Sequence, residues 1–253
     1  MLTLTTHRTG ASLLAVAGDA WTAALIAPGR DLAAWSLPGA AAYGTASGPE
    51  PTEWLTVVGA PEPAADLLRT VLPDLPAPPY GLTVPRGTDL TGLPGTAVAD
   101  ETYEHWELMT ATRAPQPHPL EERVRTDDAG IPEITALLTA ASPGYAVRPG
   151  DPTVQTWATL RTEDGELAAA GALQRRPGTG TAHLASIATA PALRGRGLAA
   201  AVTGRLTRDV LAGGEAVCTL SVHSDNASAV RLYRRLGYTT AQEFTSVQLE
   251  EEF

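Results

Sequence analysis

A short segment rich in arginine and glycine carries the clearest chemical signal in the sequence. Residues 190–200 read APALRGRGLAA, between an apolar run that predicts a strand and a segment whose apolar residues recur every four positions, as in a helix. Glycines let the backbone approach a ligand closely, and the first amides of a helix have no partner within it. With the arginine charges, these donors predict a phosphate or pyrophosphate site. The predicted site consists of Arg194, Gly195, Arg196, Gly197, Leu198 and Ala199.

Gly195, Gly197 and Ala200 also match the G-x-G-x-x-G/A pattern of dinucleotide-binding folds. In those folds the pattern lies in the first turn of a repeated βαβ sheet, and an acidic residue ends the next strand about 20 residues later. Here predicted antiparallel strands precede the loop, Glu215 falls before the next predicted strand, and Asp225 is about 30 residues away. We therefore do not favour a dinucleotide-dependent oxidoreductase.

The elements that must position this loop form a predicted mixed α/β sheet. A helix from Ile131 through Leu138, capped by Asp127 or Asp128, precedes an irregular loop at 141–152. Turn residues then separate three runs that predict an antiparallel meander. The next strand is parallel to the third because a helix crosses between them. The predicted elements are strands 154–161, 166–175, 183–189, 216–222 and 244–249 and helices 197–212 and 226–236.

A second motif follows the parallel strand. It reads Asn226-x-x-Ala229-x-x-Leu232-Tyr233-x-x-Leu236-Gly237-Tyr238. Together with Arg194-x-x-Gly197-x-Ala199, it resembles the GNAT superfamily of acyl-CoA-dependent N-acyltransferases over about residues 123–249. Residues 157–188 look like the branch that includes glycine N-acyltransferase-like proteins. That branch carries a divergent N-terminal half, often a degenerate copy of the same fold, which would suit residues 1–118.

The resemblance implies a mixed central sheet with helices on both faces and a V-shaped opening between the third strand and the parallel strand. The pantetheine arm of acyl-CoA would enter this opening and pair with the backbone of Ile187, Ala188 and Thr189. Its pyrophosphate would lie on the amides of residues 194–199. Asn226 would contact the cofactor arm, although an asparagine at this place can also serve only as a helix N-cap.

The resemblance also implies that Tyr233 protonates the departing thiolate. Direct attack of an amine on a thioester needs an oxyanion donor, a proton for sulfur and an acceptor for the ammonium proton. His183 is the candidate acceptor, on the strand where several relatives place a carboxylate. The alternatives are Glu166, Ser186, His223 and a water chain.

A connector with three prolines, residues 111–122, divides the sequence into two expected domains. Residues 1–118 would form a divergent, smaller α/β domain, and residues 119–253 the acyltransferase domain. The predicted elements of the first domain are strands 54–58 and 82–84 and a helix at 61–72. The acidic residues around His105 are interpreted as a solvated segment, because no second histidine lies at a helical spacing.

Composition excludes several chemistries. The net charge of −10 disfavours nucleic acid and anionic membranes as partners. All 18 basic residues are arginines, which excludes a Walker lysine, a Schiff-base lysine and a Ser-Lys dyad. The lone Cys218 excludes an internal disulfide and a cysteine-based zinc site, and we expect no metal. The single cysteine makes a cytoplasmic protein the expectation, and no stretch reaches the roughly 18 apolar residues of a membrane span.

The predicted function is transfer of an acyl group, with acetyl-CoA as the expected donor, to a primary amine of a small molecule or peptide. The alternative is a non-catalytic module of the same fold that binds CoA or senses a ligand. The acidic composition suits a cationic amine, whereas Arg148 beside Tyr145 would suit an acceptor that carries a carboxylate. The oligomeric state is left open, with a homodimer as one alternative.

Overall fold

The computed structural model describes residues 3–17, 22–26, 28–29, 31–45, 54–94, 97–98, 103–144, 147–176 and 179–250. The chain divides into two compact units. The first contains residues 1–107, 223–225 and 241–253, and the second contains residues 108–222 and 226–240. The expected domain boundary near residue 118 stays a prediction.

The first unit begins with short strands and two helices. Its elements are β1 (Thr5–Thr9), α1 (Gly10–Leu14), β2 (Asp31–Leu37), β3 (Ala40–Thr45), β4 (Trp54–Gly59), α2 (Pro61–Val71), β5 (Gly81–Pro85) and β6 (Ala97–Val98). The next strand, β7 (Glu104–Ala111), begins in the first unit and ends in the second.

The second unit contains most of the remaining elements. They are β8 (Arg125–Thr126), α3 (Ile131–Ala141), β9 (Val154–Arg161), β10 (Leu167–Arg175), β11 (Ala182–Thr189), α4 (Leu198–Ala212), β12 (Cys218–His223), α5 (Ala227–Arg235) and β13 (Thr239–Glu250). The last strand, β13, begins in this unit and ends in the first.

The sheet of the first unit has the strand order β1-β2-β3-β4-β5-β13. Its neighbouring strands are antiparallel except β4 and β5, which are parallel because α2 crosses between them. Helix α2 buries Ala64, Leu67 and Leu68 completely, at the spacing of one helical face. The strands and the helix predicted between residues 54 and 84 are confirmed.

The segment around His105 is a strand in which Glu104 and His105 are exposed, as expected of a solvated segment, whereas the expectation was wrong for Glu107. Glu107 is buried, and Trp106 stacks on Phe244 with ring centroids 4.6 Å apart. The Trp106 indole also donates to Ser246 Oγ at 2.9 Å. The apolar residues that follow, Leu108 and Met109, are fully buried, and their burial outweighs the local acidic charge.

The sheet of the second unit has the strand order β7-β12-β11-β10-β9-β8. Strands β8 to β11 form an antiparallel meander, and β12 is parallel to β11 after the α4 crossover. This mixed sheet confirms the predicted fold class.

Helices cover both faces of this sheet. Successive residues of a strand point to opposite faces. On β10, Ala169 packs in the cluster that contains α4 and α5, whereas Ala170 packs in the cluster that contains α3. The helices on both faces that the resemblance implied are therefore present.

The expected cap of α3 by an aspartate was wrong. The N-cap is Gly130, which offers no side-chain cap, and Pro132 occupies the first turn, where a missing N–H costs nothing. Asp127 instead accepts from the Trp157 amide at 3.0 Å and from Thr156 Oγ1 at 2.8 Å. The Asp127 carboxylate is therefore bonded to β9 and does not cap the first amides of α3.

Candidate functional site

The parallel strands β11 and β12 separate soon after they begin. They pair at His183 with Thr219 and at Leu184 with Leu220, and at no later position. Strand β11 nevertheless continues to Thr189. The two strands therefore leave an opening toward their carboxyl ends, the place where parallel α/β sheets commonly bind ligands.

A bulge in β11 lies beside this opening. The register between β10 and β11 shifts between Ala170 and Ala172, and Ser186 has a φ of +49°. A positive φ is uncommon for a residue other than glycine. Ser186 Oγ donates to the Val147 carbonyl at 2.8 Å and accepts from the Val147 amide at 3.0 Å. The bulge therefore holds the loop after α3 against β11, while Tyr145 lies outside the described residues.

The loop after β11 has the geometry of an anion site. Gly195 and Gly197 both have a φ of +78°, which L side chains rarely adopt. Gly197 is the N-cap of α4, and its carbonyl accepts from the Ala201 amide at 3.0 Å. Within the described part of the chain, the amides of residues 195–200 donate to no acceptor. Such amides at a helix N-terminus are suited to a phosphate.

The two arginines of this loop have different surroundings. Arg194 Nη2 donates to the Ala141 carbonyl at 2.7 Å, so its side chain also binds the last residue of α3. Arg196 is exposed and makes no ion pair with any residue that the structure describes. Both side chains are exposed and Arg194 keeps further N–H donors, so both are available to an anion, and Arg196 is the one without a bond to another described residue.

The residues expected to pair with the pantetheine arm lie on β11 beyond its pairing with β12. Ala188 and Thr189 pair with β10 on the other side, and Ile187 packs against the core. The Thr189 hydroxyl oxygen is inaccessible and makes no hydrogen bond with the described residues. An inaccessible hydroxyl without a partner is costly to bury.

Asn226 is the N-cap of α5. Its Oδ1 accepts from the Ala229 amide at 3.1 Å and from Ser228 Oγ at 2.9 Å. The capping alternative is thus present in the structure. The side-chain NH₂ group donates to no acceptor among the described residues, so capping leaves it available to a ligand.

Tyr233 lies on the buried side of α5. Its ring is tilted against Tyr238, with centroids 6.0 Å apart, and its hydroxyl makes no hydrogen bond in the described part of the chain. Burial raises the pKa of Tyr233 to about 12. The phenol therefore keeps its proton at neutral pH, as a proton donor to a thiolate must.

His183 is buried in the sheet at a position where β11 and β12 still pair. Its Nδ1 lies 2.9 Å from Thr219 Oγ1 and 3.2 Å from Arg176 Nη2. Burial, and then the charge of Arg176, hold the pKa of His183 well below its usual value. The guanidinium can only donate to Nδ1, whereas Thr219 Oγ1 donates its own proton to the Ala182 carbonyl at 2.9 Å, so Nδ1 is already engaged by two neighbours. A base role for His183 stays a prediction, and these contacts argue against it.

Sequence reasoning missed the role of Ser186, which it considered only as an alternative base. Its positive φ and its two bonds to Val147 depend on the register shift between β10 and β11. No local pattern predicts such a shift, because residues 182–189, AHLASIAT, have no regular apolar–polar alternation that an extra residue would interrupt. The other alternative in this unit, Glu166, is exposed in the turn between β9 and β10.

The described residues contain neither a metal-binding cluster of side chains nor a membrane-spanning helix. No cluster of three or more histidine, cysteine, aspartate or glutamate side chains there could hold a metal ion. No helix there has the length and apolar character needed to cross a membrane.

Comparison with protein families finds one match. The model of the acetyltransferase (GNAT) family matches residues 125–238. These residues include the loop at the start of α4, the separating strands and Tyr233. No curated protein is similar enough to the chain to match it.

Solved structures with the same fold cover most of the chain. A protein assigned to the GNAT acetyltransferase family from Novosphingobium aromaticivorans is 26% identical, with a TM-score of 0.55, over 84% of this chain and 89% of that one. A GCN5-related N-acetyltransferase from Sphaerobacter thermophilus is 15% identical, with a TM-score of 0.56, over 97% and 94%. A GNAT-family acetyltransferase from Colwellia psychrerythraea is 16% identical, with a TM-score of 0.52, over 98% and 100%.

Proposed function

We propose that residues 125–238, which match the model of the acetyltransferase (GNAT) family, form an acyltransferase domain that transfers an acyl group from acyl-CoA, with acetyl-CoA as donor, directly to a primary amine. The observation that carries the proposal is the separation of β11 from β12 beside a loop whose amides are unbonded in the described chain. An acyl-CoA needs both features, because its arm is extended and its pyrophosphate is anionic.

The residues at the opening fit acyl-CoA group by group. The amides of residues 195–200 and the Arg196 side chain would bind the pyrophosphate. The backbone of residues 187–189 would pair with the pantetheine arm, since this part of β11 lies beyond its pairing with β12. The Asn226 NH₂ group would donate to the arm while its Oδ1 caps α5.

The transfer forms a bond between the amine nitrogen and the acyl carbon and breaks the bond between that carbon and sulfur. Backbone amides of β11 would stabilise the oxyanion. Tyr233 would give its proton to the departing thiolate. The ammonium proton would pass to water, because His183 is buried and its Nδ1 already contacts Arg176 and Thr219.

We propose a primary amine of a small molecule or peptide as the acceptor. The loop that Ser186 binds through Val147 lies beside the bulge of β11 and would border the acceptor. Arg148 is the next residue on this loop and is exposed. It would pair with a carboxylate of the acceptor, so amino acids and carboxylate-bearing amines come first in a screen.

Steady-state kinetics of Tyr233→Phe test the reaction. We expect kcat to fall about 100-fold, because a general acid contributes on that order, with KM for acetyl-CoA within about twofold of the native value. Tyr238→Phe is the matched control: it loses bonds to Thr207 and Cys218 in the same core, at 2.7 and 3.3 Å, and should keep the native kcat. Normal turnover by Tyr233→Phe would show that another group protonates sulfur.

The second candidate is a ligand-sensing module without turnover. The first unit favours it through a cavity of about 250 Å³ beside Ser36, Gly39 and Gly59. A sensor would bind acetyl-CoA but release no thiol with any amine of the screen, and Tyr233→Phe would change nothing measurable. Release of CoA thiol that depends on an amine would rule it out.

A further inference from the structure

The connector residue His118 is held in place by its own turn. The His118 amide donates to Glu121 Oε2 at 2.9 Å, and the Glu121 amide donates to the His118 carbonyl at 2.9 Å. The Leu120 amide donates to His118 Nδ1 at 3.2 Å, which fixes the orientation of the ring. Three hydrogen bonds therefore restrict both the backbone and the side chain of His118.

This turn is attached to α4. Glu121 is buried, and its Oε1 lies 2.6 Å from Arg208 Nη2 on that helix. A buried ion pair of this kind fixes geometry even where its net contribution to stability is small. The helix whose first amides form the anion site therefore also holds the turn that carries His118.

The imidazole lies against the anion site. A Cβ atom placed on Gly197 would be 2.8 Å from His118 Nε2 and 3.0 Å from Cε1. Because Nδ1 accepts from the Leu120 amide, the proton of the neutral ring lies on Nε2. Nε2–H has no acceptor in the described part of the chain. The ring also borders an open cavity of about 390 Å³ between the connector and Arg205 on α4.

We propose that His118 is a phosphate-binding residue: its Nε2–H donates to the pyrophosphate of acyl-CoA at the start of α4. The inference rests on the proposed function, because it adds a donor to the same site. It assigns a binding role to the proline-rich connector, which the sequence indicates only as a spacer. His118 would act on the affinity for the phosphate-bearing end of the donor and not on the acyl transfer itself.

The test compares two acyl donors, acetyl-CoA and S-acetylpantetheine, which lacks the phosphates and the nucleotide. In His118→Ala we expect KM for acetyl-CoA to rise about tenfold with kcat unchanged, as for the loss of a hydrogen bond to a charged group. KM for S-acetylpantetheine should stay within about twofold. His118→Gln, which keeps an N–H donor, should recover part of the loss. Pro117→Ala, a neighbour in the connector, should match the native protein.

Three results would overturn the proposal. An unchanged KM for acetyl-CoA in His118→Ala, a lower KM, or an equal rise for both donors would each exclude a specific phosphate contact. Calorimetric titration separates this failure from failure of the proposed function. If the native protein binds acetyl-CoA and Arg196→Gln weakens it while His118→Ala does not, only the role of His118 is wrong. If the native protein binds no acetyl-CoA, the proposed function fails as well.

Discussion

The two units each contain one strand–helix–strand crossover, and the two crossovers differ at the point where a ligand would bind. In the first unit, α2 connects the parallel strands β4 and β5; in the second, α4 connects β11 and β12. Both helices bury an apolar face against their own sheet. The backbone plan is therefore the same, and side chains at the helix starts decide what each crossover can do.

The helix starts have opposite properties. Helix α2 begins Pro61-Glu62-Pro63. The two prolines have no N–H to donate, and Glu62 between them carries a negative charge. Helix α4 begins after Gly197 with amides that are unbonded in the described chain, next to two arginines. Only the second start offers donors and positive charge to an anion.

The strand pairs are more alike than the helix starts. Trp54, Leu55 and Thr56 of β4 pair with Gly81, Leu82 and Thr83 of β5. The Trp54 indole lies on Gly81, within 2.3 Å of an added Cβ, and donates to Thr83 Oγ1 at 2.9 Å. Pairing thus ends after three residues in the first crossover and after two in the second, so the strand pairs alone do not distinguish the two crossovers. The comparison suggests that a crossover becomes a cofactor site through its loop residues, independently of its fold.

Among the substitutions that test this comparison, replacement of a glycine in the loop before α4 should weaken acetyl-CoA binding most. Gly195 and Gly197 share a φ of +78°, so alanine is strained equally at both, by about 1–2 kcal/mol. Only at Gly197 would the new Cβ also meet His118, since nothing lies within 4 Å of it at Gly195. We expect Gly197→Ala to weaken acetyl-CoA binding about 30-fold and Gly195→Ala less than tenfold, measured by calorimetry. Equal losses would show that the contact with His118 is irrelevant.

Charge changes at the two helix starts should have a smaller effect. Arg196→Gln removes an exposed positive charge beside α4, and we expect Kd for acetyl-CoA to rise about fivefold, more at low salt than at high salt. Glu62→Gln removes the negative charge at the start of α2 and should leave Kd within about twofold. A larger response to Glu62→Gln than to Arg196→Gln would contradict the assignment of the site to the second unit.

The smallest expected effect is on how the free energy of unfolding depends on pH. Each unit buries one histidine, and both histidines contribute to this dependence. Burial lowers the pKa of His7 in the first unit and, with Arg176, lowers that of His183 further in the second. An unfolded histidine has a pKa of about 6.5, so below that pH the unfolded chain binds a proton that the folded chain does not. Each histidine therefore lowers stability as pH falls from about 6.5 to its folded pKa, by at most about 1.4 kcal/mol per pH unit.

Urea unfolding between about pH 5 and 7.5 checks this prediction. His183→Asn can keep the bond to Thr219, and His7→Gln can keep the bond of His7 Nε2 to Ser36 Oγ at 2.8 Å. We expect the free energy of unfolding of both variants to fall less at low pH than that of the native protein. For His183→Asn this difference should extend over a wider pH range than for His7→Gln. A steeper loss in either variant would mean that the native histidine becomes protonated in the folded state.

The second unit was more predictable from the sequence than the first. Strand β9 has the expected bounds of residues 154–161, and α4 begins one residue after the expected start. Clear turn residues and an apolar residue at every fourth position explain this agreement. In the first unit, β3 was missed because its Ala40-Ala41-Ala42 run has little strand preference and depends on pairing with β2 and β4.

The candidate site was predictable where local chemistry defines it and not where packing does. The glycines and arginines at 194–197 predict an anion site, and Asn226 indicates the start of a helix. The contacts of His183 with Arg176 could not be predicted, because they depend on which face of β11 the side chain occupies. The position of His118 was also hidden, because a proline-rich connector has no periodicity that would place it.

Hydrogen exchange with and without acetyl-CoA tests the central claim most directly, because it reports on both crossovers in one experiment. We predict that acetyl-CoA slows exchange in peptides that cover residues 185–200 and leaves peptides that cover residues 54–66 unchanged. Protection confined to the first unit, or absent from both crossovers at saturating acetyl-CoA, would contradict the assignment of the acyl-CoA site to the opening between β11 and β12.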